Sequence, residues 1–331
     1  MSVKLHWASA RAMAFMLLLG ATVASSHAAP FAYITNQGSH DVSVIDLLID
    51  SVVATVPVGR GPAGVAIAAS QAKVFVTNPD SKTISVIDMR SRQVVDTLAA
   101  GDGPLGIAAS DDGMRVYVSD WYRNRVLAFD SRVHHPLMRI AVGRAPAGLA
   151  VHESGEAVFV AERDDDSVAV IDVNSQRVLS RVTVGARPFA LLYDAPRQRL
   201  YALNVQSNDL SVLDARDLFR TGKLVPIATV AVGKAPYGAA LADGGKLLYV
   251  TNQHENSVSV IDADTLKVVR TLRGFGYPEG IASHRDRVYV VNWMDDNLSV
   301  LDAVSGQTIK TIATGQNSRG FGAFIGDAPA P

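Results

Sequence analysis

Apolar residues in this chain fall in short runs rich in Val and Ile, separated by polar turns that carry Gly, Pro, Asn and Asp. The runs at 65–69, 74–77, 84–87 and 94–98 are representative, and each has the length and β-branched content of a strand. Beyond position 28 no window of about 11 residues sustains the 3.6-residue periodicity of an amphipathic helix. The pattern predicts an all-β protein with almost no helix.

The runs repeat. Tyr33-Ile34-Thr35-Asn36 returns as Phe75-Val76-Thr77-Asn78, Tyr117-Val118-Ser119-Asp120, Phe159-Val160-Ala161-Glu162, Tyr201-Ala202-Leu203-Asn204, Tyr249-Val250-Thr251-Asn252 and Tyr289-Val290-Val291-Asn292. The spacings between aromatics are 42, 42, 42, 42, 48 and 40 residues, so the one sizeable insertion falls in the fifth copy, near 218–224. An Asp trails each aromatic by 13 residues, at Asp46, Asp88, Asp130, Asp172, Asp214, Asp262 and Asp302, where an Asx hydrogen bond would nucleate a turn. A third marker is a Gly followed shortly by Pro, as in Gly59-Arg60-Gly61-Pro62. Four strands per period of about 42 residues predict a seven-bladed β-propeller with four-stranded antiparallel blades. The first copy lacks an innermost strand, and residues 320–325 form an extra one at the other end. Pairing the two would close the ring and protect its open edges.

Residues 1–28 stand apart. Lys4 and Arg11 precede an apolar run over 12–24, and Ser26-His27-Ala28 has the small-x-small form of a signal-peptidase site. The run is shorter than the roughly 20 residues that cross a bilayer. A signal peptide cleaved after Ala28, a single propeller domain over 29–331, no membrane span after cleavage and a periplasmic monomer are therefore expected.

Composition sharpens this. The chain has 48% hydrophobic but only 7% aromatic residues, so its core must be built mainly of Val, Ile, Leu and Ala. With 31 Lys+Arg against 32 Asp+Glu, no global attraction to polyanions is expected, and any electrostatic site must be local. The absence of cysteine excludes disulfides, thiol chemistry and covalent c-type haem.

With Tyr-Val-Thr-Asn present literally at 249–252, together with Ser-Val-x-Val-Ile-Asp and the Gly-x-x-Pro turn, the chain resembles the YVTN β-propeller family and its periplasmic YncE-like members in particular. The resemblance spans 31–326. It implies a seven-bladed propeller, but relatives range from single-stranded-DNA binders and surface-layer proteins to subunits of quinoprotein amine dehydrogenases. Function must therefore be argued from sites.

In a four-stranded blade, the turn leading into the inner strand shares a face with the turn after the Tyr-Val-Thr-Asn strand. Read one per blade, the lead-in turns give Arg60, Asp102, Arg144, Arg187, Lys234, Glu279 and Arg319, a predominantly cationic ring suited to an anionic ligand or a phosphate backbone. Trp121 and Trp293 interrupt the repeat on the same face, where they could stack bases or anchor a protein partner. Asp120 and Glu162 replace the strand-end Asn in adjacent copies and could hold a Ca-type divalent cation, although an Asn there ordinarily caps its own turn. The adjacent His134 and His135 fall on the opposite face. No Gly-x-Ser-x-Gly, phosphate loop or His-Glu-x-x-His motif is present and no cofactor is evident. An exported binding or interaction propeller is expected. The alternatives are a lactonase-like metal-dependent hydrolase and a propeller subunit of a quinoprotein amine dehydrogenase.

Overall fold

The computed structural model describes residues 30–327, so the expected leader lies outside the described residues. Seven antiparallel sheets surround a central axis, and the second blade shows the plan. Its inner strand Gly64–Ala68 pairs with Lys73–Asn78, which pairs with Thr83–Asp88, which pairs with the outer strand Gln93–Ala99. The two middle strands are buried along nearly their whole length, whereas the outer strand alternates exposed and half-buried positions. That contrast follows from packing a blade between neighbours on both faces while its outer edge meets solvent.

Ring closure joins the two ends as the repeat implied, with different boundaries. Ser318–Arg319 and Ile325–Asp327, rather than a continuous 320–325, pair with Pro30–Asn36 and form the inner strand of the first blade. Between them the chain leaves the blade, and Phe321–Gly322 adds in parallel to the inner strand of the second blade, at Gly64–Val65. Phe324 is fully buried, and its carbonyl accepts the Tyr33 N–H at 2.8 Å. The insertion of the fifth copy forms the only α-helix among the described residues, Leu218–Thr221.

The repeated residues have separable jobs. The Thr or Ser of the second strand links blades: the Thr77 hydroxyl donates to the Leu105 carbonyl (2.8 Å), Ser119 to Ala147 (2.7 Å) and Thr251 to Glu279 (2.7 Å). This close approach requires the glycine found two residues after five of the six lead-in prolines (Ala190 follows Pro188), since a Cβ on Gly64 would lie 2.3 Å from the Leu105 carbonyl oxygen. The strand-end Asn does not cap its own turn. Its amide instead reaches across to the third strand, from Asn252 to Ser257 (3.0 Å) and Ser259 (2.9 Å), and likewise from Asn78, Asn204 and Asn292. All seven Asp46-type residues accept backbone N–H groups two or three positions on, the expected Asx turns.

Candidate functional site

The lead-in turn is held at two successive residues. Two positions before the proline, the backbone N–H bonds to the second-to-third-strand turn of its own blade, from Arg60 to Ser81 (2.6 Å), Arg144 to Asp165 (2.6 Å) and Lys234 to Glu255 (3.1 Å). One position before it, the N–H bonds to the preceding blade, from Ala145 to Asn124 (3.1 Å), Arg187 to Asp166 (2.7 Å) and Ala235 to Asn208 (2.9 Å). The position after the proline turns into the channel mouth, because successive residues of an extended chain point to opposite sides.

This register divides the cationic ring foreseen from sequence. Arg60, Asp102, Arg144 and Lys234 stand two before the proline on the outer rim, and Arg187 stands one before it. Glu279 stands one after its proline, and Arg319 one after Ser318, which takes the proline's place in the last copy; both point inward, so the seven residues do not form one ring. The Arg319 guanidinium holds both oxygens of the buried Glu279 at 2.8 and 3.2 Å, and Gln253 donates to the same carboxylate at 2.7 Å. Burial pushes the Glu279 carboxyl above the usual carboxylate range against the pull of Arg319 and Gln253. Arg144 is paired with Asp165, and Asp102 is taken up by Arg123 and Lys82, which hold it below its ordinary pKa. Arg60 is exposed and lies three blades from Lys234 around the ring.

Arg187 and Lys234 remain, and the structure brings them together. With Arg163 they line a cleft of about 500 Å³ over blades four to six. Phe189, Tyr237, Gln206, Gln253 and His254 also line it, and among the described residues no carboxylate does. The backbone amides of Arg187 and Lys234 are engaged, but their exposed side-chain cations form no ion pair among the described residues. Of the nearby acids, Glu255 pairs with Arg273 (3.2 Å), while Asp164 pairs with Arg163 itself and offsets part of that cation's charge.

Aromatic residues flank the cleft on both sides. Trp121 is half-buried, with its ring 6.4 Å from Phe189 and 5.4 Å from the Arg163 guanidinium. Trp293 is half-buried beside Tyr277 (5.6 Å), which in turn meets His254 (5.5 Å, with 3.0 Å between Tyr277 Oη and His254 Nε2). Both tryptophans thus pack on neighbouring turns while bordering the cationic surface. Sequence reasoning missed Arg163, Phe189, Tyr237 and His254; the aromatic residues directly after Pro188 and Pro236 were the available signal.

Asp120 and Glu162 are fully buried in separate blades. Asp120 is bonded to Arg125 (2.9 Å) and Glu162 to Arg181 (2.9 and 3.0 Å) and Ser167 (2.7 Å). Their oxygens also accept lead-in-turn amides, Gly103 at 3.0 Å and Gly143 at 2.6 Å. No group of three His, Asp or Glu side chains among the described residues is placed to hold a metal ion. His134 leans on Asp96 (2.7 Å) and His135 bonds to the Pro136 carbonyl, so the two rings diverge.

A seven-bladed propeller with a cationic, aromatic-lined cleft among the turns of one face defines a ring-shaped scaffold. The chain matches the YNCE-like β-propeller family over residues 31–156 and 126–329, and it belongs to that family. No curated protein sequence matches it. Among solved structures it is similar to hydrazine synthase of Kuenenia stuttgartiensis, with a TM-score of 0.72 and 18% identity, covering 88% of this chain and 99% of that one. A functionally unknown protein of Desulfotomaculum acetoxidans gives a TM-score of 0.75 at 14% identity, covering 91% and 99%. Dihydro-heme d1 dehydrogenase NirN in complex with DHE gives 0.66 at 14% identity, covering 90% and 75%. At these identities the likeness is one of fold.

Proposed function

We propose that this protein is an exported binding propeller that takes an anionic ligand, with single-stranded DNA as the test case, in the cleft over blades four to six. The observation that carries the reading is the lining itself: Arg187 and Lys234 without ion-pair partners, beside Arg163 and aromatic neighbours, with no carboxylate among the described residues. Arg187 and Lys234 would contact phosphate or carboxylate oxygens, Gln206 would add neutral hydrogen bonds, and Trp121 and Trp293 would border the path of attached rings.

Titration of a labelled oligothymidylate should give binding that weakens with salt, each phosphate contact adding about −0.7 to the log–log slope for a single strand. The double variant Arg187→Ala/Lys234→Ala should bind at least about tenfold more weakly and show a shallower slope, whereas Arg60→Ala should bind like the parent. Equal affinity of the double variant and the parent would reject the cleft as the site.

A further inference from the structure

We propose that the axial channel of the propeller is a second binding site, for an uncharged and mainly apolar small molecule entering from the face opposite the cationic cleft. The channel encloses about 440 Å³ between the inner strands of blades three to seven and the C-terminal segment. Among the described residues its lining contains no charged residue, and only Tyr193, Tyr237 and Ser283 carry a polar side-chain group. Two of these are not available to a ligand, Ser283 because it is already bonded and Tyr193 because its hydroxyl, though without a hydrogen-bond partner, is buried away from the channel. The Ser283 hydroxyl donates to the Leu241 carbonyl, and the Tyr193 hydroxyl is shut away from solvent while its ring packs on His152 (5.0 Å) and Phe159 (5.4 Å).

The upper end is stoppered. Phe189, Tyr237 and Phe321 meet with ring centroids 4.7, 4.9 and 5.8 Å apart, beneath the cleft. Access is therefore from the lower face, past the half-buried Leu192 and Leu241. The channel already accepts one guest, since Phe321–Gly322 pairs with the free inner edge of Gly64–Val65. Backbone groups on such inner edges can thus supply the one or two hydrogen bonds that orient a ligand in an otherwise apolar pocket.

Space of this size holds on the order of 15 waters at about 30 Å³ each. Side chains give those waters little to bond to, so their displacement is favourable where the one or two polar groups of an otherwise apolar molecule take over the hydrogen bonds of the free inner-strand edges. An ionic group would be left without a partner and is selected against.

The test is fluorescence titration of the purified protein with the neutral probe N-phenyl-1-naphthylamine. The expected result is a single saturable site with enhanced, blue-shifted emission. Ala239→Phe, which fills the channel, should lower affinity at least about tenfold, while Val304→Ser, an exposed apolar position on the outside, should leave it unchanged. Ala282→Leu, also in the wall, substitutes if Ala239→Phe does not fold. Absence of saturable binding, or undiminished binding in a folded channel-filling variant, would overturn the proposal. Neither result bears on oligothymidylate binding in the cleft.

Discussion

Arg319 emerges from the closing strand toward the channel mouth, where it is the counter-ion of Glu279, a carboxylate only 1% exposed. Removing one member of such a pair leaves a buried charge unpartnered, which typically costs about 3–5 kcal/mol, whereas replacing both by apolar groups is often close to neutral. Arg319→Met should therefore lower the urea-unfolding free energy by about that amount at pH 8, and Glu279→Met in the same chain should restore most of it. The loss should also depend on pH. The folded-state pKa of Glu279 is raised by burial and rises further without Arg319, so the stability gained by protonation is present below the ordinary carboxylate pKa and lost as pH rises through the folded one. Arg319→Met should thus be less destabilised at pH 5 than at pH 8, and a pH-independent loss would contradict the ionic account. The charge types at the mouth were legible in the sequence, but their direction was not. Counting from the proline, or from Ser318 in the last copy, would have placed Glu279 and Arg319 inward with Phe189 and Tyr237, and Arg60 and Arg144 outward.

The turn between the third and fourth strands of every blade rests on the same kind of Asp side-chain bond, and these set how the fold responds to acid. Backbone N–H bonds from Ser91, with help from Lys73, hold the Asp88 carboxyl down to about 2. Asp172, Asp262 and Asp302 are lowered chiefly by bonds from Ser175, Thr265 and Ser305, and Asp130 and Asp214 chiefly by Arg132 and Arg216. A depressed carboxylate pKa contributes stability that is present above the unfolded value of about 3.9 and is lost as pH falls through the folded value. Six turns of one kind should therefore lose stability together between about pH 4 and 2. Thermal midpoints should be flat from pH 7 down to about 5 and then fall steeply, and Asp88→Asn should shrink that fall. A midpoint that does not move down to pH 3 would sink this account. The Asp turns were legible because their partners lie two or three residues away in the chain. The inter-blade role of the Thr77 and Thr251 hydroxyls was not, because their acceptors lie 28 residues on, in the next blade. The strand-end Asn was misread for a similar reason: its partners sit across the turn on the third strand, at five and seven positions.

Closure decides whether the seven blades behave as a ring or as an open stack, and both cavities depend on it. The C-terminal segment supplies the inner edge of the first blade, the Arg319 that holds Glu279, the Phe321 ring between cleft and channel, and the fully buried Phe324. At the outer seam Arg287 of blade seven pairs with Asp50 of blade one, but that partly exposed contact lacks the backbone ladder of the inner strand. Two changes separate packing from pairing. Phe324→Ala keeps the strand and empties a buried site, so it should cost about 3–5 kcal/mol while leaving the protein monodisperse. Truncation after Asn317 removes the strand itself and exposes the edge of Pro30–Asn36, a row of unpaired donors and acceptors flanked by the buried Phe31, Tyr33 and Ile34. That chain should melt at lower temperature and also self-associate through the freed edge, visible as higher-mass species in sedimentation that the full chain and Phe324→Ala do not show. A truncated chain that stays as stable and as monodisperse as its parent would mean that the remaining blades close without the C-terminal strand.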